Sequence, residues 1–293
     1  SYTGLFGMKT TFGLVGTGPG PFQSSLNPVR GPIVRTPRDA ARYLDVTSGP
    51  TLTDPTSLPK PAVPFEEELL SGAAMERLRG KRVAFTANVG FAEADRQVAE
   101  QVKEVAHVLI ERVGLELVEG VATALPRPGR SWGVLSTIDD MSWYADDVAD
   151  RLDEVTLVHK LQHLSFTNLT PEVLGKAIRR RHELLTTVAS IFEQVDLLIT
   201  PTTATPAFDA EGVLEGEVNG QPVGLFELSA AFTAPFNMTG QPAASIPAGL
   251  IDGLPIGLQV VAPRHHDVDC LAAGAILQET RPWPLFAPLA FER

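Results

Sequence analysis

The pattern between residues 82 and 118 limits the possible folds more than any other part of the chain. Arg82-Val83-Ala84-Phe85 has the composition of a buried strand, and apolar residues then recur every three or four positions as far as Gly114. Another apolar segment follows at residues 115–118. Two strands joined by one helix lie parallel, with a right-handed crossover. The pattern therefore predicts a parallel βαβ unit.

Antiparallel strands are predicted nearer the C-terminus. Asp252-Gly253 separates two strand-like segments, 245–250 and 254–261, and this dipeptide between such segments is a strong hairpin signal. Residues 196–200 form a further short strand pattern. Parallel and antiparallel strands together predict an α/β fold with a mixed central β-sheet covered by helices on both faces.

Several helix boundaries are also visible in the sequence. Thr36-Pro37 and Thr170-Pro171 each place a capping residue before a proline, which is typical of a helix start. A last helix is predicted over residues 267–278. Residues 50–64 contain five prolines, which predict an extended connector inside a single domain.

Composition excludes some partners and favours one compartment. The 293 residues carry a net charge of −11, so nucleic acid would be repelled. No apolar run approaches the roughly 20 residues that span a bilayer, so no membrane partner is expected. The one cysteine, Cys270, suits a reducing environment and predicts a cytoplasmic protein.

The acidic and histidine-rich segments do not predict a metal site. His265 and His266 are adjacent and so point apart, and no further ligand lies at the usual spacing. Asp267 is better explained as the N-cap of the last helix. The acids from Asp139 to Glu154 are spread around a helix and are predicted to lie on a solvated face. No metal and no cofactor are predicted.

One serine matches a known nucleophile motif. Gly129-Arg130-Ser131-Trp132-Gly133 has the G-x-S-x-G spacing of a nucleophile elbow, which lies between a strand and a helix. Prolines precede it at positions 126 and 128, where a central strand is required. Ser131 is therefore predicted to cap a helix, and an α/β-type serine hydrolase using Ser131 remains an alternative.

Four segments, in order along the chain, resemble the amidase signature family. Gly4 to Gly13 resembles the family's G-L-x-G-x-K-P-T-x-G element, and Gly31 to Ala41 resembles its G-P-x-x-R-x-x-x-D-A element. Leu197 to Thr203 resembles its L-L-x-T-P-T-x strand and turn. Asn237 to Ala243, together with Gly253 to Gln259, resembles its closing hairpin.

The resemblance implies an enzyme that hydrolyses amide or ester bonds. In the family, a serine nucleophile is activated through a second serine by a neutral, buried lysine, and backbone N–H groups stabilise the oxyanion. The resemblance places all three residues upstream of Ser1. The interval 1–293 is therefore expected to be the C-terminal part of a single amidase-type domain, with no catalytic residue of its own. Lys9 matches a downstream lysine of the motif, which implies a structural role.

The resemblance also suggests what this part of the domain does. It is expected to form one wall of the substrate pocket, with Thr202, Phe232 and Phe236 as candidate wall residues. Glutamine-using members of the family carry an acid before the N-x-T/A-G element, whereas residues 229–236 are uncharged here. An apolar or aryl amide is therefore the predicted substrate, in preference to an amino-acid amide.

The expected partners follow from this interpretation. They are a small-molecule amide and the upstream N-terminal half of the same enzyme, and a homodimer is possible. A non-catalytic binding or assembly module built on a truncated amidase fold is the second alternative.

Overall fold

The structure is a computed structural model that describes residues 1–20, 25–209 and 215–286. Within those ranges the strands are β1 (Phe6–Lys9), β2 (Ile33–Val34), β3 (Arg82–Phe85), β4 (Glu116–Leu117), β5 (Leu197–Pro201), β6 (Glu215–Val218), β7 (Gln221–Gly224), β8 (Ala243–Ile251) and β9 (Leu254–Val261). The helices are α1 (Pro37–Thr47), α2 (Phe65–Leu70), α3 (Ala73–Leu78), α4 (Arg96–Val113), α5 (Gly129–Asp150), α6 (Leu157–Thr167), α7 (Pro171–Gln194), α8 (Leu225–Ser229), α9 (Ala234–Thr239) and α10 (Asp267–Thr280).

The main sheet is mixed, as the sequence predicts. In the described part of the chain it has seven strands, in the order β2-β1-β8-β9-β5-β3-β4. β3 pairs in parallel with β4 and β5, whereas the pairs β5–β9, β9–β8, β8–β1 and β1–β2 are antiparallel. β6 and β7 form a separate two-stranded sheet. The predicted fold class is therefore confirmed.

The predicted βαβ unit consists of β3, α4 and β4. The Asp95 carboxylate caps α4 by accepting a hydrogen bond of 2.9 Å from the Gln97 N–H. Gly114 ends the helix at a φ of 75°, which glycine adopts without strain. β4 then returns parallel to β3, so the unit has the topology that its sequence pattern predicts.

The predicted hairpin consists of β8 and β9. Asp252 and Gly253 connect the strands with φ values of 51° and 79°, and two positive φ values are what a two-residue hairpin turn of type I′ requires. The register shifts between Pro247 and Gly249, so β8 carries an irregularity near its exposed end.

One face of the sheet is apolar and packs against α10 and α4. Gly274 of α10 lies against Phe6, and the Cys270 thiol donates to the Val260 carbonyl at 3.6 Å. From α4, the Gln101 amide donates to the Ala248 carbonyl at 3.1 Å. A row of four paired residues crosses this face from β1 to β5: Met8, Ala244, Val260 and Ile199.

Other helices cover the opposite face. The Gln259 side chain of β9 donates to the Phe232 carbonyl at 2.9 Å, so the segment between α8 and α9 lies against this side. α9 packs against α7, and α5 packs against both α6 and α7. The prediction of helices on both faces is therefore confirmed. None of the helices in the described ranges is both long and apolar enough to span a membrane.

Residues 50–64 connect α1 to α2, but they form an ordered turn rather than a purely extended connector. Asp54 is buried and accepts hydrogen bonds from the Thr17 N–H at 3.0 Å and the Thr56 N–H at 2.9 Å. Burial alone would raise the pKa of Asp54, but the hydrogen bonds from these two threonines outweigh it and lower the pKa. The carboxylate therefore fastens the connector to the loop after β1.

Gly274 provides a test of the packing between α10 and β1. An alanine Cβ at this position would lie 2.4 Å from Phe6 Cε2 and 3.0 Å from Pro37 Cγ. We expect Gly274→Ala to lower the free energy of unfolding by about 1–3 kcal/mol, because overpacking forces neighbouring groups to move. The measurement is denaturant unfolding of the polypeptide that contains residues 1–293.

The matched control is Gly133→Ala in α5. An alanine Cβ there has no neighbour within 4 Å, so the better helix propensity of alanine should raise stability by about 0.5–1 kcal/mol. Equal effects of the two substitutions would contradict the packing described for α10.

Candidate functional site

The segments that resemble the amidase signature family meet in one part of the sheet. Residues 4–13 contain β1, and residues 31–41 contain β2 and the start of α1. Residues 237–243 lead into β8, residues 253–259 contain most of β9, and residues 197–203 contain β5. These strands are neighbours in the order β2-β1-β8-β9-β5. Segments far apart in sequence therefore form one continuous surface.

A row of small and polar residues crosses that surface on the side away from α10. Gly7 pairs with Ser245, Ser245 with Gln259, and Gln259 with Thr200. Directly paired residues point to the same face, so the row is continuous from β1 to β5. The Gln259 amide donates to Thr200 Oγ1 at 2.8 Å. We call these four residues the polar row.

A cluster of hydroxyl groups lies beside the polar row. Ser245 Oγ is 2.9 Å from Thr202 Oγ1, and Ser1 Oγ is 3.0 Å from Thr203 Oγ1. The Ser1 nitrogen donates to Ser245 Oγ at 3.1 Å, which joins the two pairs. Thr203 also donates to the Thr205 carbonyl at 2.9 Å. We call Ser1, Thr202, Thr203 and Ser245 the hydroxyl cluster; its hydrogen bonds hold the chain before β1 against the turn after β5.

The hydroxyl cluster packs against Gly257, whose lack of a side chain leaves room for it. A Cβ at Gly257 would lie 2.7 Å from Ser245 Oγ, 2.8 Å from Thr202 Oγ1 and 3.2 Å from the Ser1 Cα. The Gly257 carbonyl accepts a hydrogen bond of 2.8 Å from the Thr202 N–H, which fixes the turn after β5. Any larger residue would therefore displace the cluster.

Tyr2 borders the hydroxyl cluster. Its ring meets Phe208 edge to face, with the centroids 5.7 Å apart, and its hydroxyl donates to the Leu228 carbonyl at 3.4 Å. Burial raises the pKa of Tyr2, although hydrogen bonds with Thr205 and Thr203 act in the opposite direction. The phenol is therefore neutral, like the hydroxyl cluster beside it.

The three predicted wall residues have different environments. Thr202 belongs to the hydroxyl cluster. Phe232 is joined to the polar row through its carbonyl, which accepts from Gln259, but its side chain is only 1% exposed. Phe236 is fully buried in α9. Their contact with a substrate stays a prediction.

Lys9 occupies a half-buried position in β1 next to the polar row. Its ammonium group donates to the Gln241 carbonyl and, at 3.3 Å, to the Thr10 carbonyl. Burial lowers the pKa of Lys9 to about 8, while the negative charge of Asp267 raises it. Both acceptors are backbone carbonyls, and the bond to Gln241 joins the end of β1 to the segment before β8, which agrees with the structural role that the resemblance implies.

Ser131 does not lie on a nucleophile elbow. It is the third residue of α5, and its N–H donates to the Pro128 carbonyl at 3.0 Å. No strand is present between β4 and α5, all of which the structure describes. Ser131 also does not cap the helix as expected, because Pro128 occupies the N-cap position.

The acidic segment on α5 is not wholly solvated. Asp139 is 4% exposed, and its carboxylate accepts from the Ser25 N–H at 2.8 Å and from the Ser25 hydroxyl. The expectation of a solvated face is therefore wrong at Asp139, because this helix position faces the loop at Ser25.

The acids at the start of α10 have structural partners. His266 is the N-cap, and Asp267 is the first helical residue rather than the cap. Asp267 accepts from the Thr11 N–H at 2.7 Å, and Asp269 pairs with Lys81. Residues 1–20, 25–209 and 215–286 contain no group of three His, Cys, Asp or Glu side chains that could hold a metal ion.

The sequence pattern does not identify Ser245, Gln259 and Gly257 as site residues. The sequence does show a polar residue or a glycine inside an otherwise apolar strand, such as Gln259 between Leu258 and Val260. This pattern alone does not identify a site, because it does not show which residues of the neighbouring strands lie beside it. Only the register shows that these residues lie together.

The fold and the site define an α/β protein with a mixed sheet and a hydroxyl-rich surface on its central strands. A family model described as Amidase matches residues 1–271. The chain therefore belongs to the amidase family, to whose amidase signature members its four sequence segments are similar.

Known relatives agree in sequence and fold. The acylamidase of Rhodococcus erythropolis is 29% identical over 266 residues, covering 86% of this chain and 52% of the relative. A glutamyl-tRNA(Gln) amidotransferase subunit from Streptococcus uberis is 26% identical over 321 residues, covering 99% of this chain and 62% of the relative. The crystal structure of a bacterial aryl acylamidase matches with a TM-score of 0.80 and 26% identity, covering 96% of this chain and 59% of that one. The chain thus spans between 52% and 62% of these relatives.

The desolvated ammonium group of Lys9 predicts a pH dependence of stability. Its pKa is about 8 in the folded chain against 10.5 for an unperturbed lysine. Between these values the unfolded chain binds more protons, so this group makes the free energy of unfolding rise with pH in that window. Below about pH 8 Lys9 is protonated in both the folded and the unfolded chain, so its contribution to the free energy of unfolding no longer changes with pH.

We expect Lys9→Met to remove this rise, so that the difference in unfolding free energy between the variant and the parent changes with pH between about 8 and 10.5. Lys60→Met, at an exposed lysine, is the control and should leave the slope unchanged. Urea unfolding of the polypeptide that contains residues 1–293, at a series of pH values, measures this. A constant difference between Lys9→Met and the parent would show that Lys9 is not desolvated.

Proposed function

We propose that the polypeptide containing this chain is a serine amidohydrolase that cleaves a small carboxylic amide through an acyl-enzyme. The hydroxyl cluster carries the proposal. Ser1, Thr202, Thr203 and Ser245 join the chain before β1 to the strands in the middle of the sheet, on the surface where the family segments meet. Membership of the amidase family supports the reaction class.

The chemistry proposed is acyl transfer to a serine hydroxyl. The nucleophile attacks the amide carbonyl, the C–N bond breaks, and the amine leaves with a proton supplied through the catalytic groups. Water then hydrolyses the acyl-enzyme and releases the carboxylic acid. We place the nucleophile, the second serine and the lysine outside residues 1–293, because the family segments in this chain are those that follow them.

This chain would contribute a rigid support and one wall of the pocket. Catalytic groups must be held within a fraction of an ångström of their working positions, and the hydroxyl cluster fixes the chain that leads into β1. Thr202 would lie nearest to the substrate among the three predicted wall residues. Phe232 and Phe236 would act mainly by packing behind the polar row, since both are buried.

The substrate proposed is an apolar or aryl amide. Residues 229–236 carry no charge, and the nearest acid before them, Glu227, is paired with Arg127. No free carboxylate in this segment is therefore available for the amino group of an amino-acid amide. The names of two relatives, an acylamidase and an aryl acylamidase, agree with this preference.

A comparison of two substrates tests the preference. We expect the polypeptide containing residues 1–293 to hydrolyse 4-nitroacetanilide with a kcat/KM at least about tenfold above that for glutamine, because the uncharged segment 229–236 offers no partner to the ammonium group of glutamine. Release of 4-nitroaniline and of ammonia are the two measurements. Faster hydrolysis of glutamine would contradict the proposed substrate class.

The position of the nucleophile is tested with a fluorophosphonate probe. We expect labelling of a serine outside residues 1–293, and we expect Ser131→Ala to leave both labelling and turnover within about twofold, because Ser131 lies inside the first turn of α5. Mass spectrometry of the labelled peptide identifies the serine.

Two other outcomes separate the remaining alternatives. Labelling of Ser131 itself would support the α/β-type hydrolase. Absence of labelling and of amide turnover in the whole polypeptide would favour a binding or assembly module.

A further inference from the structure

A groove with a volume of about 910 Å³ lies at the hairpin end of the main sheet. The chain before β1, the irregular end of β8, the start of β9 and the segment after α10 form its walls. It shares no residue with the hydroxyl cluster. Its size is within the range of small-molecule sites in proteins.

The charge of this groove is opposite to that of the chain as a whole. The chain has 35 acidic and 24 basic residues, yet the described residues that line the groove include two arginines, Arg35 and Arg281, and no acid. In the described ranges neither guanidinium forms an ion pair with a carboxylate. The groove is therefore suited to an anion, which would supply the missing charge.

The rest of the lining is mostly apolar and aromatic. Leu250 and Phe286 are 60% and 54% exposed, although both are large hydrophobic residues. Trp283 is fixed by a hydrogen bond of 3.0 Å from its indole N–H to the Arg35 carbonyl. These residues would lose water-exposed apolar surface on binding an apolar group.

Arg35 connects the two parts of the groove. Its guanidinium carbon lies 4.6 Å from the centroid of the Phe286 ring, so the charged group rests against the aromatic part of the groove. Arg281 follows α10 directly, two residues before Trp283. Arg35 therefore lies against an aromatic ring, and Arg281 lines the same groove, so that a ligand could contact charge and ring together.

From this arrangement we propose that the groove binds an amphipathic carboxylate, with the carboxylate on Arg35 and Arg281 and an aryl or alkyl body along Leu250, Trp283 and Phe286. The opposite charge of the ligand and the groove, and the apolar lining beside the arginines, define this class. The site is separate from the hydroxyl cluster, and its occupation does not depend on the amide hydrolysis proposed above.

Isothermal titration calorimetry with 4-phenylbutyrate tests the proposal on the polypeptide that contains residues 1–293. We expect one molecule to bind per chain, and 4-phenylbutanol, which has the same body without the charge, to bind at least about tenfold more weakly. Equal affinity for the two compounds, or no binding of 4-phenylbutyrate, would overturn the proposal.

Two arginine variants locate the site. Arg281→Gln should weaken 4-phenylbutyrate at least about tenfold and leave 4-phenylbutanol unchanged, because only the charged contact is removed. Arg179→Gln, at an exposed arginine on α7, should change neither affinity. Parental affinity in Arg281→Gln would overturn the proposal. If 4-phenylbutyrate binds only after residues 287–293 are deleted, that segment is the occupant of the groove, and the proposal is overturned as well.

Discussion

The antiparallel pairing of β8 with β9 is the constraint on which the rest of the structure depends. Its register places Ser245 opposite Gln259 and Ala244 opposite Val260. Because side chains alternate along a strand, a slip of one residue would turn the two polar side chains toward α10 and the two apolar ones away from it. β1 and β5 pair with the outer edges of this hairpin, so the same register sets the polar row and the apolar row across four strands.

Buried polar contacts then fix α10 on the apolar face. The Asp267 carboxylate accepts from the Thr11 N–H at 2.7 Å and from its hydroxyl at 2.5 Å, which joins α10 to the loop after β1. Asp269, fully buried, pairs with Lys81 just before β3. Burial raises the pKa of Asp267, although hydrogen bonds from Thr11 and the charge of Lys9 act against that rise. With α10 on one face, the polar row and the hydroxyl cluster lie on the other face, beneath the segment between α8 and α9.

Much of the fold could be predicted because its signals are local. The Asp252-Gly253 turn, the threonine cap of α7 and the glycine at the end of α4 each depend on residues only a few positions apart. Errors arose where a distant partner decides the environment. Asp139 has the local pattern of a solvated acid, but Ser25, from another part of the chain, buries it. The same limit applies to the connector, whose Asp54 is held by Thr17.

The sequence by itself determined the α/β class, the mixed sheet and membership of the amidase family, because strand and helix periods, turn dipeptides and ordered motifs are all properties of short segments. Only the tertiary structure decided which residues form the candidate site. Ser1, Thr202 and Ser245 are more than 40 residues apart from one another along the chain, yet hydrogen bonds of 3.1 Å and 2.9 Å link them. The physical reason is that strand order and register, which are set by long-range pairing, decide which side chains share a face.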